Sequence, residues 1–70
     1  MAKHRQILGE NIRSVRTAEG MTFQQLGDAV GVSAAYIRDL ERGRKDVAID
    51  LLARIAYVLK TTVNELTAGT

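Results

Sequence analysis

Thr22-Phe23-Gln24-Gln25-Leu26-Gly27-Asp28-Ala29-Val30-Gly31-Val32-Ser33-Ala34-Ala35-Tyr36-Ile37-Arg38-Asp39-Leu40-Glu41-Arg42-Gly43 reads as two short helices joined by a tight turn. Thr22 and Gln25 form a capping box, in which the hydroxyl accepts a first-turn N–H and the glutamine side chain reaches back to the cap. A helix therefore starts here. Leu26, Ala29 and Val30 form its apolar face, and Gly31 stops it as a residue that takes positive φ freely. Ser33 is the next N-cap, Ile37 and Leu40 supply an inward stripe, and Gly43 ends the second helix. Two helices that meet steeply through a turn of about three or four residues need small residues where their backbones approach. Gly27 fits that need, because a glycine inside a helix costs ~1 kcal/mol relative to alanine unless a close crossing requires it. Leu26, Val30, Val32, Ile37 and Leu40 would then share one core.

The flanking sequence supplies the scaffold. Leu8, Ile12 and Val15 recur at helical spacing and predict a first helix from about Arg5 to Glu19, closed by Gly20. A fourth helix, from about Ala48 to Leu59, carries Ile49, Leu52, Ile55, Ala56 and Leu59 on one side. Leu51 and Val58 lie on another, so this helix is apolar over more than a single stripe. Thr62 and Glu65 make a second capping box, opening a short fifth helix with Val63 and Leu66. With no strand pattern, the expectation is one all-α domain of five helices over residues 1–70. Residues 1–5 are a candidate flexible arm and 67–70 a candidate flexible tail.

Composition narrows the function. A chain of 70 residues holds one compact core. Its 46% hydrophobic and 4% aromatic content, without tryptophan, points to a core of Leu, Ile, Val and Ala. With no cysteine and a single histidine, His4, a thiolate metal site, a disulfide framework and a Cys/His nucleophile pair are excluded, and no metal or cofactor is expected. No apolar run approaches the ~20 residues of a membrane span, and Met-Ala-Lys-His-Arg lacks the apolar stretch of a signal peptide. A cytoplasmic protein without membrane association is the expectation.

The net charge of +2 is a weak pointer to an anionic partner. Its distribution is a stronger one. Lys3, Arg5, Arg13 and Arg16 outnumber Glu10 and Glu19, and Arg38, Arg42, Arg44 and Lys45 outnumber Asp39 and Glu41. Beyond Val47, Arg54 and Lys60 are balanced by Asp50 and Glu65.

Several segments together resemble the Cro/phage-repressor type of helix-turn-helix regulators, also called the XRE type, over about residues 7 to 66. They are Leu8-Gly9-Glu10-Asn11-Ile12-Arg13, Gly20-Met21-Thr22, Leu26 through Gly31-Val32-Ser33, Tyr36-Ile37-Arg38, Leu40-Glu41-Arg42-Gly43 and Val63-Asn64-Glu65-Leu66. The resemblance implies a lambda-repressor-like DNA-binding domain, with helices 2 and 3 as the helix-turn-helix. It also implies sequence-specific binding of double-stranded DNA and transcriptional regulation, as repressor or activator, by a homodimer on a two-fold related operator. Three positions depart from the pattern. Phe23 stands where many relatives have a phosphate-contacting glutamine, Lys60 where glycine usually ends helix 4, and Ala48 where a serine caps it. The first leaves the backbone start of helix 2, at Thr22, Phe23 and Gln24, to meet a phosphate through its free N–H groups.

With Ile37 and Leu40 facing inward, Ala35, Arg38, Asp39 and Arg42 fall on the outer half of helix 3, and Ala34 lies at its leading end. A recognition helix presents this face to the major groove. Arg38 is the candidate for a bidentate contact to guanine, and Ala34 and Ala35 are short enough to touch thymine methyl groups. Asp39 either accepts from a cytosine amine or pairs with Arg42 or Lys45 and orients them. Tyr36, on the flank, either meets a phosphate through its hydroxyl or packs against helix 2. Arg42, Arg44 and Lys45 fit backbone contacts that position without specifying sequence.

Arg16 and Glu41 lie beside core stripes on different helices, which predicts a buried ion pair between helices 1 and 3, as the resemblance also implies. Leu51, Val58, Val63 and Leu66 form either a dimer interface or the completion of the core. A second function fits that surface: an antitoxin or adaptor whose main partner is another protein. No nucleophile and base constellation supports an enzyme, and no small-molecule ligand is expected in a chain without room for a sensing domain.

Overall fold

A computed structural model describes residues 3–70. The helices are α1 (Lys3–Ala18), α2 (Phe23–Val30), α3 (Ala34–Glu41), α4 (Ile49–Val58) and α5 (Val63–Leu66). No strand occurs among the described residues. Ile12 of α1, Leu26 and Val30 of α2, Ile37 and Leu40 of α3, Leu52, Ile55 and Leu59 of the α4 segment and Leu66 of α5 meet in one core. Full burial of one such side chain stabilises the fold by roughly 1.5 to 3 kcal/mol. The α2–α3 pair sits between α1, which packs on α3, and α4, which packs on α2.

Residues at both ends of the described range take part in the fold. Lys3, His4 and Arg5 belong to α1 instead of to an arm, and Arg5 Nε lies 3.2 Å from the Asp46 carboxylate in the α3–α4 loop. Met1 and Ala2 of the expected arm lie outside the described residues. At the other end Asn11 Nδ2 donates to the carbonyls of Leu66 and Ala68, each at 2.9 Å. The residues after α5 are thereby fastened to α1.

In α4 the inward set differs from the expected one. Leu51 is buried along with Leu52, Ile55, Ala56 and Leu59, whereas Ile49 is 71% exposed. Helical side chains lean toward the N-terminus, so the first residue of α4 projects past the last packed layer. Ala48 offers no capping side chain, and Asp50 Oδ1 accepts the Leu51 N–H at 2.9 Å instead. Lys60 ends the helix with φ at 61°, a left-handed conformation that glycine adopts without the cost a side chain incurs.

Two glycines bring helices into backbone contact. At Gly27 an added Cβ would lie 2.6 Å from the Val32 carbonyl oxygen, in agreement with the close crossing expected there. At Gly9 an added Cβ would lie 2.5 Å from the Glu41 carbonyl oxygen and 2.6 Å from that of Leu40, so α1 rests directly on the end of α3.

Beside Gly9 lies the ion pair. Arg16 and Glu41 are each only 7% exposed. Arg16 Nε donates to Glu41 Oε2, Nη2 donates to Oε1 at 3.0 Å, and Nη1 donates to the Met21 carbonyl at 2.7 Å. The Phe23 ring covers the guanidinium, 4.3 Å from its carbon to the ring centroid. One side chain thus ties α1 to the end of α3, to the α1–α2 loop and to the start of α2.

Replacing Glu41 by leucine should destabilise the domain by about 3 to 5 kcal/mol, because it leaves Arg16 charged and buried. The double variant Arg16→Met/Glu41→Leu should recover much of that loss in urea denaturation, and a single-variant loss below about 1 kcal/mol would contradict the buried pair. Gly9→Ala should destabilise by about 1 to 3 kcal/mol through overpacking against backbone. A gain of ~1 kcal/mol, as helix propensity alone predicts, would show that α1 does not rest on α3.

Candidate nucleic-acid interface

The outer surface of the α2–α3 pair is built by its caps. Thr22 Oγ1 accepts the Gln25 N–H at 3.0 Å and Gln25 Oε1 accepts the Thr22 N–H at 2.9 Å, completing the expected capping box. The Phe23 and Gln24 amides remain at the first turn, where a helix has no carbonyl of its own to offer them. Gln24 is exposed, with its side chain donating to Asp28 Oδ1 at 2.8 Å, and Phe23 turns inward onto Arg16. Gly31 closes α2 with φ at 87°. Ser33 caps α3 by accepting the Tyr36 N–H at 3.0 Å. Only Gly31, Val32 and Ser33 separate the two helices.

On α3, Ile37, Leu40 and Glu41 face the interior, while Ala35, Arg38 and Arg42 are exposed and Ala34 and Asp39 are half-buried. The alanines leave the leading end of the helix free of bulk. Arg38 Nε lies 3.6 Å from Asp39 Oδ1, so the partner of Asp39 is Arg38 and not Arg42 or Lys45. Arg44 and Lys45 follow in the exposed loop to α4. The Tyr36 hydroxyl donates to the Asp46 carbonyl at 3.0 Å, and its ring packs against the core to which α2 contributes Leu26 and Val30. That donor is occupied, and it braces the loop carrying Arg44 and Lys45.

Sequence reasoning missed Arg13. Arg13, Arg16, Phe23, Arg38, Glu41 and Arg42 line an open cleft of about 170 Å³ at the seam of α1, α2 and α3. Its spacing was the available signal, since Arg13 precedes Arg16 by three residues and so neighbours it on α1.

The expected dimer residues divide. Leu51 and Leu66 are core residues, 8% and 0% exposed, and are not available to a second chain. Val58 and Val63 are half-buried. Among the described residues the large apolar side chains at the surface are Ile49 and Tyr57, the latter 85% exposed beside a groove lined by Ala29, Ala53, Arg54 and Val58. Among the described residues no group of His, Cys, Asp or Glu could hold a metal ion. Among the described residues no helix is long and apolar enough to cross a membrane.

Residues 7–68 match the family model described as a helix-turn-helix domain. The transcriptional regulator ClgR of Mycobacterium tuberculosis is 34% identical over 56 residues, which are 80% of this chain and 50% of ClgR. The chain thus spans about half the length of that relative. Control protein C.SmaI of Serratia marcescens is 34% identical over 62 residues, 89% of this chain and 74% of that protein. The crystal structure of the clp gene regulator ClgR from Corynebacterium glutamicum superposes with a TM-score of 0.90 at 38% identity, covering 94% of this chain and 85% of that one. The restriction-modification controller protein C.AhdI from Aeromonas hydrophila gives a TM-score of 0.83 at 28% identity, over 87% of this chain and 92% of that one. The same fold also forms 34% of a hydroxypropylphosphonic acid epoxidase at 25% identity and a TM-score of 0.85, so it is carried by an enzyme as a minor part. The chain belongs to the helix-turn-helix domain family, among regulators of the XRE type.

Proposed function

We propose that this chain binds duplex DNA sequence-specifically and regulates transcription in the cytoplasm as a homodimer, without catalysing a reaction. The observation that carries the proposal is the outer face of α3. Ala34 and Ala35 clear its leading end, Arg38 and Asp39 follow, and Arg42, Arg44 and Lys45 supply cations beyond them. With α3 in the major groove, the alanines reach thymine methyl groups, Arg38 offers a guanidinium fork to a guanine edge, and Asp39 faces a cytosine amine. The Arg38–Asp39 pair does not forbid this. Their side chains are 44% and 27% exposed, and a partly solvated pair is worth only ~0 to 1 kcal/mol, less than a good base contact. Phe23 and Gln24 put the start of α2 against a phosphate through their backbone N–H groups, while the Thr22 N–H stays with Gln25 in the capping box.

A two-fold related operator with half-sites about one helical turn apart requires two copies of the chain. Tyr57, Val58 and Val63 on the α4–α5 side give the second copy an apolar surface distinct from the reading face. The relatives named as regulators and control proteins support the transcriptional role.

Arg38→Ala should cost about 1 to 3 kcal/mol on the preferred duplex and relax discrimination at one base pair. Arg44→Gln should weaken preferred and scrambled duplexes alike and lower the slope of log K against log salt by about 1. Equal weakening of both duplexes by Arg38→Ala, with base preference intact, would refute the assignment of Arg38 as a reader. In sedimentation, the wild type should self-associate with rising concentration, and Tyr57→Asp should shift it to monomer without loss of helix. A chain that stays monomeric at high concentration and also on its preferred duplex would defeat the dimer.

A further inference from the structure

We infer that the cleft between α1 and α3 seats one phosphate of the DNA backbone, and that Arg13, outside the helix-turn-helix, is one of its ligands. This rests on the proposal that α3 enters the major groove. The floor of the cleft is electrically settled, because Glu41 is matched by Arg16 and both are buried. Its rim is not. Arg13 and Arg42 are exposed and take part in no ion pair among the described residues, and Arg38 holds Asp39, which does not line the cleft. Three guanidinium groups therefore surround a space whose single carboxylate is already neutralised.

Guanidinium groups match phosphate oxygens in a fork geometry and gather where such an anion is held. At about 170 Å³ the cleft suits one tetrahedral oxyanion, whereas pockets for larger ligands run from roughly 300 Å³ upward. Its place selects the source. Phe23 joins it to the start of α2 and Arg38 joins it to the reading face of α3, so the occupant lies on the strand bordering the groove that α3 enters. A contact of this kind fixes the approach of the domain and carries no sequence information.

The test uses the full chain with Arg13→Gln, Arg13→Lys and, as a control away from the cleft, Lys60→Asn, which removes a cation where asparagine tolerates positive φ. Binding to preferred and scrambled duplexes is measured by fluorescence anisotropy across a salt series. Arg13→Gln should weaken both duplexes by the same factor and lower the salt slope by about 0.9, making the fall in affinity from about 50 to 200 mM salt roughly threefold shallower. Arg13→Lys should restore the slope, and Lys60→Asn should leave it at the wild-type value. A wild-type slope in Arg13→Gln, with DNA binding otherwise normal, overturns the phosphate site alone. Failure of the wild-type chain to bind any duplex overturns the helix-turn-helix proposal and this site with it. Tight binding of inorganic phosphate to the DNA-free chain, lost in Arg13→Gln, would make this a site for free anions and overturn the backbone assignment.

Discussion

Neither Arg16 nor Glu41 could be buried alone, since an isolated charge in the interior costs several kcal/mol that only an opposite charge and hydrogen bonds offset. Their pairing constrains the rest of the domain. The carboxylate comes from the end of α3, the guanidinium from α1, and the remaining donor reaches the Met21 carbonyl just before α2. The end of α3 must therefore converge with α1, 25 residues earlier in the chain, and with the loop that follows α1, in one arrangement. The apolar core supplies most of the driving force, but aliphatic contacts are non-directional. The bidentate ion pair adds the geometric specificity that orients α3 relative to α1.

Backbone proximity completes that orientation. Gly9 lets α1 touch the carbonyls of Leu40 and Glu41, and Gly27 lets α2 touch the turn before α3. With α3 fixed on both sides, its outward residues are held at set angles. The loop that follows is braced by Tyr36 and Arg5, both of which contact Asp46. Holding α3 rigid matters for the proposed base reading, because each side chain or segment ordered on binding subtracts from affinity.

The legible parts of the sequence were those governed by local rules. Thr22, Gly31, Ser33 and Thr62 mark element ends through caps and positive φ, and the structure places the α2, α3 and α5 starts where those residues put them. The Arg16–Glu41 pair was legible because both residues lie beside apolar stripes on elements that had to pack together. What periodicity could not reveal depended on neighbours. Periodicity leaves Leu51 and Leu66 open to either role, interface or core; α4 and α5 bury them, and only the packed fold separates spare apolar surface from core. Asn11 gave no signal of its own, because its acceptors, Leu66 and Ala68, lie more than fifty residues away. Arg13 and the cleft escaped for the same reason, as the site exists only once three helices meet.

In the proposed complex one surface, formed by the start of α2, the outer face of α3 and the Arg13 edge of α1, meets duplex DNA. Titrating the labelled chain with a duplex while following its backbone amide resonances tests this directly. The largest shifts should fall at Phe23, Gln24, Ala34, Ala35, Arg38 and Arg42, with Arg13 and the Arg44–Lys45 loop responding and the Tyr57 face of α4 silent on the monomer. Shifts concentrated on α4 and α5, with the amides of α3 unmoved, would contradict it.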